Sequence, residues 1–288
     1  MTAVARTAST LAHRLRAHPA VRRGGALLGA LVVALAVLPA VLPHAPYEQL
    51  DLGSLTLRPP SRAHPLGTDH VARDVLARVV EGGRTSLLVA TGAVLLGTGL
   101  GTLVGVAAGL GGRTTDGLTM RAVDAGLAIP RVLLLLVVLA AVPQPPLALL
   151  IVALGATGWF AVARLVRGEV RRLRDADFVL AARALGAGRW AIARRHILPH
   201  IAGPVLVTAA LGVGQVIVLE AGLSWLGIGV QPPQASWGNI IRDGTDVLAS
   251  APWLSLAPGV CLVLVVLACS LLADGLRDAL DGREVPRA

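Results

Sequence analysis

The sequence contains no lysine: all 26 of its basic residues are arginine. A nucleotide-binding P-loop needs a lysine to reach the phosphates, and Schiff-base chemistry needs an amine, so both are excluded. If ATP drives this protein, another chain binds it. Aromatic residues make up only 3% of the chain and charged residues 15%, against about a quarter charged in ordinary soluble domains. The net charge of +9 does not read as nucleic-acid binding, because the arginines stand between long apolar runs rather than along one amphipathic face. There are two cysteines, Cys261 and Cys269, and both lie in one apolar segment, where thiols act as small hydrophobes; neither a disulfide framework nor a metal site follows. The seven histidines are scattered, with no HExxH pair, so a metalloenzyme site has no support. Ser224, in Gly-Leu-Ser-Trp-Leu-Gly, lacks the Gly-x-Ser-x-Gly spacing of a nucleophile elbow. No catalytic set emerges, and the chain reads as a non-enzyme.

What the sequence has in abundance is apolar length: 55% hydrophobic residues and a mean hydropathy of +0.71. A helix needs about 20 apolar residues to cross a bilayer, and six stretches approach that length, at 25–43, 86–110, 122–142, 146–166, 201–222 and 252–273. The expected fold is therefore all-α and polytopic, with six transmembrane helices. The first stretch follows Arg22 and Arg23 and a basic leader, and reads as an uncleaved signal anchor. Arginines set the orientation. Five precede the first span (Arg6, Arg14, Arg16, Arg22, Arg23), and nine lie between spans four and five (Arg164, Arg167, Arg171, Arg172, Arg174, Arg183, Arg189, Arg194, Arg195). Both regions are expected in the cytoplasm, with both termini inside and the segments 44–85 and 223–251 on the outer face. The five arginines of 44–85 are the weak point of this assignment, softened by the length of that loop.

The expected division is a cytoplasmic tail 1–24, a first transmembrane helix 25–43, an extracytoplasmic loop 44–85, a five-helix core 86–276 with a cytoplasmic loop 167–200, and a cytoplasmic tail 277–288. In the outer loop, Val71, Val75, Leu76, Val79 and Val80 recur at near-helical spacing beside charged residues, as in a helix lying on the membrane interface. In the second span Gly97, Gly101, Gly105 and Gly109 form a ladder of four-residue steps, which lets another helix approach closely in lipid. In the arginine-rich loop, Val170, Leu173, Phe178, Ala181 and Leu185 share one helical face. Gly186 and Gly188 then interrupt, and Arg189–Leu198 can form a second short helix ending at Pro199. Small residues there leave a shallow surface for another protein, and the arginines supply polar anchors. A loop whose charge only fixes topology fits the same composition.

Asp124 and Glu220 are acids in or near the membrane. A carboxylate in hydrocarbon costs about 2.5 kcal/mol or more, so both should face protein or water. Each reads either as lining a transport path or as a structural ion pair or cap, with Arg121 three residues before Asp124 favouring the structural role there.

Ala181, Ala182, Gly186, Leu198 and Pro199 stand in the arrangement of the EAA signature of ABC importer permeases, with Arg195 and His196 inside the same segment. Leu180 occupies the position of the signature's Glu. Three further blocks resemble the second permease of dipeptide, oligopeptide and nickel importers. They are His64-Pro-Leu-Gly-Thr-Asp69 with Arg73-Asp74 and Arg78, where Ala72 replaces a usual glycine; Asp116 through Ala128-Ile-Pro130; and Glu220-Ala-Gly-Leu-Ser-Trp-Leu-Gly227 with Gln231-Pro-Pro and Ser236-Trp-Gly-Asn239. The resemblance covers most of residues 25–280 in the family's order. It implies a type I ABC permease fold and a cytoplasmic-membrane location. It also implies a loop that docks into a cytoplasmic ATPase, a homologous second permease and an extracytoplasmic solute-binding protein as partners. No cofactor would be bound by this chain, ATP and Mg belonging to the ATPase. Transport of peptides or nickel would proceed by alternating access. The rival reading is an autonomous ion-coupled carrier or channel, with Asp124 and Glu220 holding the ion.

Overall fold

Backbone polar groups in lipid must be satisfied within the segment, so long apolar runs become helices. The structure, a computed structural model, describes residues 18–281 and is helical in that way. The expectations for Arg6, Arg14 and Arg16 and for residues 282–288 lie outside the described residues. The helices are α1 (Pro19–Val41), the single turn α2 (Leu52–Leu55), α3 (Val75–Leu110), α4 (Arg113–Ala128) and α5 (Arg131–Ala140). They continue as α6 (Leu147–Arg174), α7 (Asp177–Ala184), α8 (Arg189–Ile192), α9 (Leu198–Trp225), α10 (Trp237–Thr245) and α11 (Trp253–Asp281).

Five long apolar helices have the length to cross a bilayer, and the bent α4–α5 pair raises the number to six if it is counted as one broken span. The third expected span is thus not one straight helix. The 79° bend falls at Ile129-Pro130, because the residue before a proline is pushed out of the helical region; Ile129 sits at φ −86°, ψ 125°. The first span starts at Pro19 rather than 25, and the last runs to Asp281, past the expected tail boundary at 277.

The expected interfacial helix is not a separate element. Asp74 caps α3 by accepting a 2.9 Å hydrogen bond from the Ala77 amide, and the helix then runs unbroken into the second span. Val75, Val79 and Val80 are buried in the main core rather than laid on a membrane surface. Gly82 and Gly83, which look like a break in the sequence, are where other parts of the chain press on the helix. A Cβ on Gly82 would stand 3.0 Å from the Ser236 carbonyl carbon, and one on Gly83 2.7 Å from the Trp237 ring.

The glycine ladder packs as its spacing implies. A Cβ at Gly97 would meet the Gly155 carbonyl at 3.1 Å, at Gly101 the Trp159 carbonyl at 2.7 Å, at Gly105 the Ala163 carbonyl at 2.7 Å and at Gly109 the Val170 side chain at 2.6 Å. One stripe of α3 therefore lies directly on the backbone of α6. α11 carries α1 in the same manner, with Gly24 against the Ala268 carbonyl at 2.8 Å and Gly275 against the Val21 amide at 2.7 Å.

Apolar side chains on the outside of the bundle, such as Leu103, Val137 and Val263, are about two-thirds exposed (67%, 70% and 66%), as lipid contact requires. The bundle has two buried clusters. One spans α3, α5, α6, α9, α10 and α11 around Trp237, Leu135 and Leu150. The other, around Val166, Val170, Val179, Ile192, Ile197 and Ile201, ties the arginine-rich end together.

Candidate functional site

The arginine-rich end between α6 and α9 is built as a helix, a bend and a helix, with boundaries that differ from the expected ones. Val170 and Leu173 belong to α6, which stops at Arg174, so they share no continuous face with Phe178, Ala181 and Leu185 on α7. Val179 is fully buried against the α6 residues and fixes α7 beneath the bundle, a contribution of about 1.5–2 kcal/mol.

α7 closes with a Schellman motif. The Ala187 amide donates to the Ala182 carbonyl and the Gly186 amide to the Arg183 carbonyl, each at 3.0 Å, while Gly186 takes φ +86°. A residue with a Cβ is strained there, which is the physical reason for a glycine at this point of the signature.

The second helix does not end at Pro199. A π turn over Ala193–Ile197 carries α8 into α9, with the Leu198 amide reaching back to the Ala193 carbonyl. The widened turn accommodates the proline ring in the first turn of α9. Residues 189–225 thus form one 37-residue run, about 55 Å long at 1.5 Å per residue.

Of the expected docking residues, Ala181, Gly186, Arg195 and Pro199 are exposed, and Ala182, His196 and Leu198 are half-buried. Phe178 stacks on His200 with ring centres 5.1 Å apart and lies 6.2 Å from His196, joining α7 to the start of α9. The surface left facing outward is apolar: Leu185 is 89% and Trp190 73% exposed, with Leu180 and Phe178 beside them. Trp190 was not legible as a contact residue, although a tryptophan among arginines in an exposed loop is the kind of signal that marks interfaces.

Glu220 and Ser224 come together, and Asp124 lies apart from them. Glu220 is fully buried. Its carboxylate accepts hydrogen bonds from the Ser86 hydroxyl at 2.8 Å and the Ser224 hydroxyl at 2.6 Å. Those hydroxyls in turn accept from the backbone amides of Trp237 and Val230. The acid cross-links α3, α9 and the loop leading into α10, so it faces protein rather than a path. Asp124 is exposed and pairs with Arg164 on α6; Arg121, its expected partner, is not the one used. Asp116, one turn from the start of α4, takes a bidentate grip from Arg167, with both bonds at 2.6 Å, and a further contact from Arg171 at 2.9 Å.

At the opposite end of the bundle Asp69, Arg73, Arg78 and Asp243 form one ionic knot. Asp69 is fully buried and accepts from the Arg73 amide (2.9 Å), the Arg73 guanidinium and the Arg78 guanidinium (both 2.7 Å). Burial pushes its carboxyl up, but the Arg73 amide and the two guanidinium groups outweigh that and hold it below the usual carboxylate range. Arg78 also reaches Asp243 on α10 at 3.0 Å, and His64 contacts Asp74 at 2.8 Å. Ala72, standing where a glycine is usual, takes φ +59°, a conformation that glycine adopts without strain. Ser236 and Asn239 make a reciprocal capping box at the start of α10. Among the described residues no group of three His, Cys, Asp or Glu side chains is placed to hold a metal ion.

The chain is similar to proteins with transport names. A putative peptide permease of Brucella suis is 44% identical over 241 residues, covering 83% of this chain and 80% of the relative. An oligopeptide transport system permease protein OppC of Mycobacterium tuberculosis is 37% identical over 236 residues, covering 82% and 81%. A putative peptide transport system permease of Brucella suis is 41% identical over 229 residues, covering 80% and 77%. Residues 101–285, which include the segment 177–198 and Glu220 with Ser224, match the family described as binding-protein-dependent transport system inner membrane component, and the chain belongs to that family.

Proposed function

We propose that this chain is one membrane-spanning subunit of an ATP-driven importer that moves peptides inward across the cytoplasmic membrane. The observation that carries the reading is the segment 177–198. Its buried side chains, Val179, Ile192 and Ile197, lock it to α6 and α9, while Leu185 and Trp190 project from it. Such a segment transmits force: a partner that grips Leu185 and Trp190 moves α6 and α9 with them. The similarity to proteins named as peptide permeases supports the cargo class.

The partners on this reading are a homologous permease, cytoplasmic ATPase subunits that hold ATP and Mg, and an extracytoplasmic binding protein. The arginine-rich end faces the cytoplasm. His18 lies against Asp278 and Leu280 against Gly203 near the start of α9, which puts the start of α1 and the end of α11 on that side and supports cytoplasmic termini. The chain itself performs no chemistry. The ion-coupled carrier alternative puts the ion on Asp124 and Glu220, and the arrangement argues against it: Glu220 is sealed among Ser86, Ser224 and Trp237 and Asp124 is paired with Arg164.

The experiment is a mild-detergent pull-down of the tagged chain from its native membrane, with mass spectrometry of what accompanies it, followed by uptake of labelled peptides into the same cells. Recovery of an ATPase and a second permease, with peptide uptake lost on Ala181→Trp, supports the reading. Recovery of the chain alone, with uptake unaffected by that substitution, overturns it.

A further inference from the structure

Arg131 is the first residue of α5, at the break in the third span. Its Nη2 donates to the Leu154 carbonyl at 2.7 Å and its Nε to the Thr157 hydroxyl at 3.1 Å. Thr157 spends its own proton on the Ala153 and Leu154 carbonyls of its helix, so it serves the guanidinium as an acceptor. Gly158 makes room: a Cβ there would lie 3.2 Å from Nη2. The side chain is thus held against α6 by neutral oxygens only. Among the described residues, no carboxylate lies within ion-pair distance of Arg131 and Nη1 makes no hydrogen bond. Asp124, one helix earlier, is taken by Arg164.

The depth of this charge is fixed by its partners. Leu154 and Thr157 lie about 10–15 Å along α6 from its outer end, at 1.5 Å per residue, which is close to the middle of a hydrocarbon core about 30 Å thick. Lipid phosphates lie well above and below that level. Arg131 lines an open cavity of about 210 Å³ together with Leu127, Ile129, Pro130, Leu134 and Phe160. A broken helix is tolerated at membrane depth only where protein or a water-filled cavity covers it. A cation there without a counter-ion marks a place that an anion visits.

We infer that Arg131 is a carboxylate-binding residue at the midplane of the transport path, taking the C-terminal carboxylate of the peptide cargo. The inference rests on the peptide reading above. Every linear peptide with an unmodified end carries that group, whatever its side chains, so one fixed guanidinium serves a mixed cargo. Two of the guanidinium nitrogens are already occupied by Leu154 and Thr157, which leaves Nη1 for the cargo. One free amino group makes a contact weak enough to release, as a transit site must.

The test is uptake of tri-alanine and of its C-terminal amide by proteoliposomes holding the whole transporter, in wild type, Arg131→Gln and Arg131→Lys. The expected result is a wild-type preference for the free acid, which falls at least about tenfold in Arg131→Gln and is partly kept by Arg131→Lys, while amide uptake persists. An unchanged acid-to-amide ratio in Arg131→Gln overturns the inference and assigns any selectivity to the binding protein. Equal loss of both substrates with loss of the second permease from the purified complex also overturns it, by placing an acid of that partner on Arg131. Equal loss that depends on anionic lipid in the vesicles overturns it in favour of a lipid phosphate. If wild type imports neither compound nor a mixture of labelled peptides, the peptide reading itself has failed.

Discussion

The Ser86 hydroxyl on α3 donates a 2.8 Å hydrogen bond to the Glu220 carboxylate on α9, 134 residues later in the chain. Each partner is buried, and the same hydroxyl accepts from the Trp237 amide, so three elements meet at one carboxyl group. Glu220→Ala leaves two hydroxyls without an acceptor and opens a void, and is expected to cost about 3 kcal/mol. Glu220→Gln keeps most of the volume and one of the two acceptor oxygens, and is expected to cost about 1–2 kcal/mol, less than the alanine. Thermal unfolding of the purified complex separates the two; similar losses for both would show that the charge, rather than the hydrogen bonding, holds the junction.

The α3 ladder supplies a paired test. Gly105→Ala puts a Cβ 2.7 Å from the Ala163 carbonyl, so α3 and α6 must separate, at a cost of about 1–3 kcal/mol. Gly99, on the open side of the same helix, has nothing within 4 Å of its Cβ position. Gly99→Ala is therefore expected to be neutral or to stabilise by up to about 1 kcal/mol. Equal effects of the two substitutions in thermal unfolding would refute the packing.

Asp69 gives the end of the bundle opposite the arginine-rich segment a dependence on acid. Its carboxyl titrates below the usual range when folded, against about 3.9 for an unperturbed aspartate. Its contribution is therefore fully present at neutral pH, begins to fall as pH drops towards 3.9, and is lost as pH passes through the depressed folded value. Asp69→Asn is expected to be less stable than wild type by about 2–3 kcal/mol at pH 7, because it removes the nearest acid of Arg73 and leaves the buried Arg78 only Asp243 as a counter-ion. The gap should narrow as pH falls below about 4. A gap that stays constant down to pH 3 would mean that the knot is held by the neutral hydrogen bonds alone.

Gly186 is constrained by its backbone, not by its surroundings, since nothing lies within 4 Å of its Cβ position. Gly186→Val forces a β-branched residue to φ +86° and is expected to cost about 1–2 kcal/mol locally, loosening the turn between α7 and α8. Gly188→Val, at an ordinary φ of −69°, is the control and should leave ATPase recovery in pull-downs unchanged. Equal recovery from both variants would remove the conformational role assigned to Gly186.

Much of this was legible in the sequence, because lipid enforces simple rules. Apolar runs marked the spans, though not the bend in the third, the Gly97–Gly109 period marked the α3–α6 contact, and the signature spacing marked the segment 177–198. What was hidden depends on partners far away in the chain. The stretch from Val71 to Val80 looks amphipathic, and Val75, Val79 and Val80 turn inward into the cluster that Trp237 and Ile240 help to build. Pro199 reads as a stop, and only the π turn before it lets the helix continue. Asp124 has Arg121 one turn away in the sequence, but its partner in the fold is Arg164, 40 residues on. Arg131 carries no pattern at all; its meaning lies in the carboxylate that the fold does not provide.

The central claim is that the 177–198 segment couples this chain to an ATPase through its exposed apolar surface. The direct measurement is ATP-dependent peptide uptake and ATPase co-purification for the double variant Leu185→Asp and Trp190→Asp, whose side chains support no part of the fold. The expected result is normal membrane insertion with ATPase recovery reduced at least about tenfold and uptake lost, as for removal of two central apolar contacts from an interface. Full ATPase recovery and undiminished uptake in the double variant would contradict the claim.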